Sequence, residues 1–307
     1  MIWTNAHNIA EGMCLAIRNF VEGDDHGKDW SKVSVTELCD SPLRRFLKLK
    51  HGDEVTVDYA DYLWAILGSA VHYILSLNKE PDVIIETQMK VKDACGLSIT
   101  GRADRIDLRK DKLEDYKVTS LYTFKKNLHK EDWAAQLNVY AWLCKQYGIN
   151  IEHLQINAIL RDHSKVKAIT EKMKGFEYPE IPFQNVEVPL WTPEEQLQYI
   201  KDRLAIHLLY NQDSNVGNVP TCTAKQRWHK VDQYAVIKKG AKRSMKNFNV
   251  VDNDKRRALL EAQGYMQHKG LREDEHEIQT RGAEDMRCRY YCEFTEFCPY
   301  YKQYVKE

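Results

Sequence analysis

The sequence predicts an α/β fold, a central mixed sheet flanked by helices, and three observations carry that expectation. Short segments of alternating polarity follow one another over 83–118, with turn residues between them. Apolar residues recur at helical spacing on either side, at 59–77, 133–148 and 193–211. A further strand-like segment, 151–162, lies between the last two of these, so strands and helices alternate.

In chain order, YADYLWAILGSAVHYILSL (59–77) reads as a buried helix that stops before Pro81. VIIETQMKV (83–91), LSITGRADRIDL (97–108) and KLEDYKV (112–118) read as three antiparallel strands, joined at the turn-like Asp93–Gly96 and Lys110–Asp111. WAAQLNVYAWLCKQYG (133–148) is an amphipathic helix ending at Gly148, the residue favoured just past a helix C-terminus. IEHLQINAILRD (151–162) is a strand, and PEEQLQYIKDRLAIHLLYN (193–211) a helix with Pro193 in its first turn. Beyond Gly217, YAVIKKGAKRSMKNFNV (234–250) reads as a basic hairpin turning near Lys239–Gly240, and DNDKRRALLEAQGYM as a helix. The expected division is an N-terminal arm over 1–58, a core over 59–216, a basic ββα-like segment over 217–280 and a cysteine-bearing tail over 281–307.

Composition bounds the class. The 307 residues are 43% hydrophobic and 29% charged, which excludes a disordered or membranous chain. Forty-five Lys and Arg balance forty-five Asp and Glu, which argues against a uniformly basic nucleic-acid coat. The opening segment has no targeting pattern, and no run approaches the roughly 18 apolar residues of a membrane span. A cytoplasmic location with no membrane partner is expected, where eight cysteines more readily hold a metal than disulfides.

The chemistry is concentrated between His72 and Tyr140. In LEDYK, Asp115 and Lys117 are two apart and point to one face of a strand. A carboxylate beside an ammonium suits metal-assisted hydrolysis: one holds a hard cation, the other orients the attacking water. The preceding strand brings Asp104 alongside Asp115, and two such carboxylates repel unless a cation sits between them. His72 follows Gly68 by four positions and shares its helix face. Magnesium prefers oxygen ligands, whereas manganese better tolerates a histidine. Taken alone, an Asp-x-Lys in a strand is usually an exposed ion pair and a lone histidine usually a core residue. Asp107 and Glu114 are rival carboxylates, but alternation puts them on the face of neither Asp104 nor Asp115.

Taken in order, Gly68-Ser-Ala-Val-His72, Gly101-Arg-Ala-Asp104, Asp115-Tyr-Lys117 and Gln136-Leu-Asn-Val-Tyr140 resemble the motifs of RecB-type nucleases of the PD-(D/E)XK superfamily. That group includes the nuclease domains of RecB and AddB and the CRISPR-associated exonucleases. The resemblance runs from about Val35 to Tyr301, loosely over 165–280. It implies a PD-(D/E)XK nuclease core in which His72, Asp104, Asp115 and the carbonyl of Tyr116 bind Mg²⁺ or Mn²⁺. Lys117 would position the water and stabilise charge on the phosphate. Gln136 and Tyr140 would line the site, contacting the DNA strand or bracing Lys117, and Glu86 would assist the metal through water. The superfamily's usual proline before the first aspartate is Ala103 here.

Cys288, Cys292 and Cys298 form C-x3-C-x5-C near the C-terminus, and Cys39 lies far upstream. The residues alone leave zinc and iron–sulfur both open. The resemblance implies a [4Fe–4S] cluster on Cys39, Cys288, Cys292 and Cys298, with zinc as the alternative, although C-x3-C departs from the usual C-x2-C. Cys222 is the plausible substitute ligand, and Cys14, Cys95 and Cys144 read as ordinary small buried residues.

Residues 225–246 carry eight Lys and Arg against Asp232 alone, a local charge of +7, with Trp228, Tyr234 and Phe248 interleaved or adjacent. Such a segment supplies phosphate affinity and stacking surfaces for unpaired bases. Its other reading is a solvated hairpin whose aromatics form a small core. Arg227, Lys238, Lys239, Lys242 and Arg243 are the candidate contacts, with Arg44, Arg45, Lys48 and Lys50 extending the track.

The expected function is a metal-dependent deoxyribonuclease that hydrolyses phosphodiesters with a metal-activated water, exonucleolytic on single-stranded DNA or DNA ends. Family members of this size serve recombination, repair or phage DNA metabolism. No G-x-x-x-x-G-K-[ST] motif is present, so a helicase or recombination protein would have to unwind the substrate. The rival readings are a non-catalytic DNA-binding iron–sulfur or zinc protein and a structure- or sequence-specific endonuclease.

Overall fold

The computed structural model describes residues 1–23, 29–92, 97–126, 130–175, 177–211 and 213–305. Up to Pro220 its elements are β1 (Ile2–Thr4), α1 (Glu11–Gly23), β2 (Lys32–Ser34), α2 (Val35–Cys39), α3 (Pro42–His51), β3 (Thr56–Asp58) and α4 (Leu63–Ser76). There follow β4 (Val83–Lys92), β5 (Ser98–Asp107), β6 (Lys112–Thr119), α5 (Leu121–Lys125), α6 (Lys130–Gln146), β7 (His153–Leu160), α7 (Lys165–Met173), β8 (Phe183–Val188) and α8 (Pro193–Leu208). From Thr221 the chain forms a second unit. It contains β9 (His229–Lys230), β10 (Gln233–Lys238), β11 (Ser244–Asn249), α9 (Lys255–His268), β12 (His276–Arg281), β13 (Glu284–Asp285), α10 (Met286–Tyr290) and α11 (Pro299–Tyr304).

In the first unit, β5 is the strand around which the mixed sheet is organised. β4 runs antiparallel along one edge, from Val83 opposite Asp107 to Lys92 opposite Ser98. Two strands share the other edge: β2, parallel to residues 98–100, and β6, antiparallel to residues 105–107. Residues 101–104 pair with neither, so the sheet splays open there. β7 lies parallel to β6, and β8 antiparallel to β7. A parallel pair needs a long crossover, which α6 supplies. Its Leu137, Tyr140, Leu143 and Cys144 pack in one core with Ile99, Ala103, Ile106 and Leu113 of the sheet. Gly148, at φ +74°, takes the left-handed conformation that ends this helix. Thr192 and Glu195 close a capping box at the start of α8, behind Pro193.

Gly101 lies where α6 presses on the splay. A Cβ there would stand 2.6 Å from Tyr140 Cε1 and 2.8 Å from Val35 Cγ2. Gly101→Ala is therefore expected to push Tyr140 out of place and to destabilise the unit by about 1–3 kcal/mol, read by urea denaturation. An unchanged midpoint would mean that the helix yields without strain.

Two expectations are corrected here. α4 is a helix but not a buried one: none of its residues is fully enclosed, and Trp64, Tyr73 and Ile74 are each more than 60% exposed. An all-round apolar sequence reads as buried, yet this helix meets the sheet along one side only. Residues 1–58 do not form a separate arm, because β2 joins the main sheet and Val33, Val35 and Leu38 are fully buried in its core. The turn expected at Asp93–Gly96, with Cys95, lies outside the described residues.

In the second unit, β10 and β11 form the expected basic hairpin, and α9 follows it. β12, which the sequence reading did not anticipate, pairs with the free edge of β10. Val236, Phe248, Ala262 and Met266 make a small core between sheet and helix.

Candidate active site

Alternation places the Asp115 and Lys117 side chains on one face of β6, and they meet there. Lys117 Nζ donates to Asp115 Oδ1 at 2.9 Å and to Gln136 Oε1 of α6 at 3.2 Å. Across the splay, the Tyr116 N–H donates to Asp104 Oδ2 at 2.8 Å, fixing the β5 carboxylate beside β6. From α4, His72 Nδ1 lies 3.5 Å from Asp104 Oδ1 and 3.3 Å from Glu86 Oε1. Its ring meets the Tyr116 ring edge-on. The register continues Glu86 opposite Asp104, between the pairs Ile85–Arg105 and Thr87–Ala103.

Glu86 sits at φ +50°, a left-handed backbone that costs a non-glycine residue about 1–3 kcal/mol. Such strain persists where the surroundings demand it. Here its carboxylate lies beside His72 and is held from the other side by Arg102 Nε at 3.0 Å. Ligand atoms of His72, Glu86 and Asp104 all fall within 4.8 Å of one another. A cleft of about 880 Å³ reaches them, lined also by Gly101, Arg102 and Tyr140.

The carboxylates and the imidazole act on one another electrostatically. Burial, and then the charge of Asp115, push the Asp104 carboxyl up to about 7, against the pull of His72 and the Tyr116 N–H. The hydrogen bond to Glu86 and the facing carboxylates raise His72 above its ordinary value. Burial likewise raises the Tyr140 hydroxyl, which lies against Gln136 and the backbone of Arg102. The Lys117 ammonium sits against both oxygens of the buried Asp115 carboxylate, 2.9 Å from Oδ1 and 2.8 Å from Oδ2. An imidazole and two carboxylates whose ligand atoms converge, with Asp115 beside them, are a donor set that fits a divalent cation.

The rival carboxylates have other partners: Asp107 is held down to about 2 chiefly by its hydrogen bond to Arg109, and Glu114 is paired with Arg105. Among the candidate DNA contacts, Lys238, Lys239, Lys242 and Arg243 are exposed on the hairpin. Others are already engaged. Arg45 is buried, donating to the carbonyls of Trp30 and Lys32, and does not extend a surface track. Arg44 pairs with Asp40, Lys48 with Glu37, and Lys50 donates to the Ser214 carbonyl. Arg227 is paired with Asp285 and largely covered. Phe248 belongs to the hairpin's own core, whereas Trp228 is exposed beside Tyr291.

Cys39 belongs to the first unit, where burial pushes its thiol up to about 11 beside Tyr199 and Arg203 of α8. Cys288, Cys292 and Cys298 belong to the second. Cys14 and Cys144 are buried.

Sequence reasoning missed Arg102 as the partner of Glu86. Its place inside Gly101-Arg-Ala-Asp104 was the available signal, since alternation turns residues 102 and 104 to one face.

The sequence profile described as the PD-(D/E)XK nuclease superfamily matches residues 35–299. No curated protein matches the chain. Among solved structures, the crystal structure of SSO0001 is similar at 19% identity and a TM-score of 0.45, over 66% of this chain and 86% of its own. A phage related exonuclease from Haemophilus somnus 129PT is similar at 13% identity and a TM-score of 0.29, over 64% and 80%.

Proposed function

The chain belongs to the PD-(D/E)XK nuclease superfamily over residues 35–299, and from that membership we propose that it is a divalent-metal-dependent DNA exonuclease of the RecB type. The observation that carries this reading is the meeting of Asp104, Asp115 and Lys117 at the splay of β5 and β6, with His72 and Glu86 completing a ligand set.

In this reading His72, Asp104 and Asp115, helped by Glu86 and the carbonyl of Tyr116, hold Mg²⁺ or Mn²⁺. The cation supplies Lewis acidity toward the phosphate and eases deprotonation of water. Lys117, oriented by Asp115 and Gln136, positions the attacking water and faces the charge that develops on the phosphate. Gln136 and Tyr140, one turn apart on α6, hold this wall of the site against the DNA strand. The exposed cations of the β10–β11 hairpin give sequence-independent affinity for the backbone of a single strand or a DNA end. Cys288, Cys292 and Cys298 are three ligands of a cysteine-held cluster that stiffens the C-terminal region. The activity belongs to recombination, repair or phage DNA metabolism, with strand separation supplied by a helicase.

The test is digestion of end-labelled single-stranded, blunt duplex and covalently closed circular DNA with Mg²⁺, Mn²⁺ or EDTA. Release of label as short products from linear substrates, with circles spared, is the expected result. Cutting of circles at fixed positions would make the protein an endonuclease. Salt-sensitive binding without cleavage would make it a non-catalytic DNA-binding protein.

A further inference from the structure

The second unit holds four of the cysteines, Cys222, Cys288, Cys292 and Cys298. Cys222 precedes the others by more than sixty residues, yet a connected set of contacts fastens its segment to theirs. β9 pairs with β13, placing Lys230 opposite Glu284 and His229 opposite Asp285. Asp285, three residues before Cys288, is the hub. Its Oδ1 lies 2.8 Å from His229 Nδ1 and its Oδ2 3.2 Å from Arg227 Nε. The Tyr300 hydroxyl, two residues after Cys298, donates to the same Oδ2 at 2.7 Å.

The backbone closes the same corner. Arg287 N–H donates to the Arg227 carbonyl at 3.0 Å, and the Arg287 guanidinium to the Gln226 carbonyl at 3.1 Å. Arg227 in turn donates to the Cys222 carbonyl, with its guanidinium 4.3 Å over the Tyr300 ring. Cys222, Cys292 and Cys298 lie near enough to Cys288 to act on it electrostatically. Cys39 has a different setting. Its buried thiol is hydrogen-bonded with Tyr199 of α8, in the first unit.

We propose that Cys222, Cys288, Cys292 and Cys298 form a four-thiolate metal centre contained within residues 221–307, with Cys222 rather than Cys39 as the fourth ligand. This deepens the cluster reading given above and rests on it for the presence of a metal, not for the choice of ligands. Four thiolates are the donor set of a structural zinc ion and of a [4Fe–4S] cluster alike. Binding either releases the thiol protons, so the centre forms only as the unit folds. Closing the loop from Cys222 to Cys288 ties together the base of the segment that carries the basic hairpin. Loss of the metal would loosen that segment and leave the site around Asp104 and Lys117 intact.

The test uses the full chain purified anaerobically, with iron, sulfide and zinc counted alongside the visible spectrum. Cys222→Ser is expected to lower bound metal by about tenfold or more, as Cys288→Ser does, while Cys39→Ser keeps the wild-type amount. Metal retained in Cys222→Ser, or lost in Cys39→Ser alone, would overturn the assignment. Because Cys222→Ser can also misfold, the wild type is alkylated before and after metal removal. Cys222, Cys288, Cys292 and Cys298 should become reactive together, with Cys39 unchanged. Free labelling of Cys222 in the metal-loaded protein would overturn the proposal. A wild type that carries neither metal overturns the cluster reading itself. A brown protein with about four irons or a colourless one with about one zinc per chain identifies which centre the thiolates hold.

Discussion

Replacing Lys117 by alanine is expected to lower metal-dependent DNA cleavage by about a thousandfold while the chain stays folded. Lys117 Nζ is already in place, held by Asp115 Oδ1 at 2.9 Å and Gln136 Oε1 at 3.2 Å. A charge positioned before the reaction begins needs no reorganisation as the phosphate becomes more negative, and its removal raises the barrier directly. The substitution also leaves Asp115 buried without its cation, at a cost of about 1–3 kcal/mol. Initial rates on end-labelled DNA at saturating Mg²⁺, beside a urea denaturation curve, separate the two effects. Cleavage within tenfold of wild type would place the chemistry elsewhere.

Asp104→Asn is expected to have an equally large effect on cleavage and an opposite one on stability. Asp104 is buried, and its carboxyl is pushed up to about 7 from an ordinary value of 3.8. Its folded-state value lies above its unfolded one, so between about pH 4 and 7 the metal-free fold keeps a proton that the unfolded chain has released. Stability from this group is therefore present at low pH and lost as pH rises through that window. Mg²⁺ or Mn²⁺ competes with that proton, so cation affinity should rise as pH passes 7. The asparagine variant carries no charge there, and its amide oxygen can still accept from the Tyr116 N–H. In EDTA it should melt above wild type near neutral pH, with a flatter dependence on pH. It should also lose the rise in melting temperature that Mn²⁺ gives the wild type. A wild-type melting temperature indifferent to Mn²⁺ at about pH 8 would remove Asp104 from the ligand set.

The grouping of the candidate residues was legible because its signals are short-range. Asp115 and Lys117 share a face by strand alternation, and the tight turn before them brings Asp104 alongside. Gln136 and Tyr140 share a face by helical period. Glu86 was legible only as a residue on the neighbouring strand. Its left-handed backbone and its bond to Arg102 depend on the register of β4 against β5, which no local pattern encodes. The cations near Cys39 show the same limit. Arg44, Arg45, Lys48 and Lys50 form a basic cluster in the sequence, but each is engaged by a carboxylate or a carbonyl in the fold.

By itself the sequence determined the α/β class, the succession of strands and helices, the carboxylate–lysine pattern and the basic hairpin. All of these follow from periodicities set by covalent geometry over a few residues. Only the tertiary structure decided that β2 and β6 divide one edge of β5 and so open the sheet at Asp104, that α4 stays largely exposed, and that Asp285 draws the segment of Cys222 to the C-terminal cysteines. Burial and long-range pairing depend on what packs opposite a residue, and that partner lies tens to hundreds of positions away along the chain.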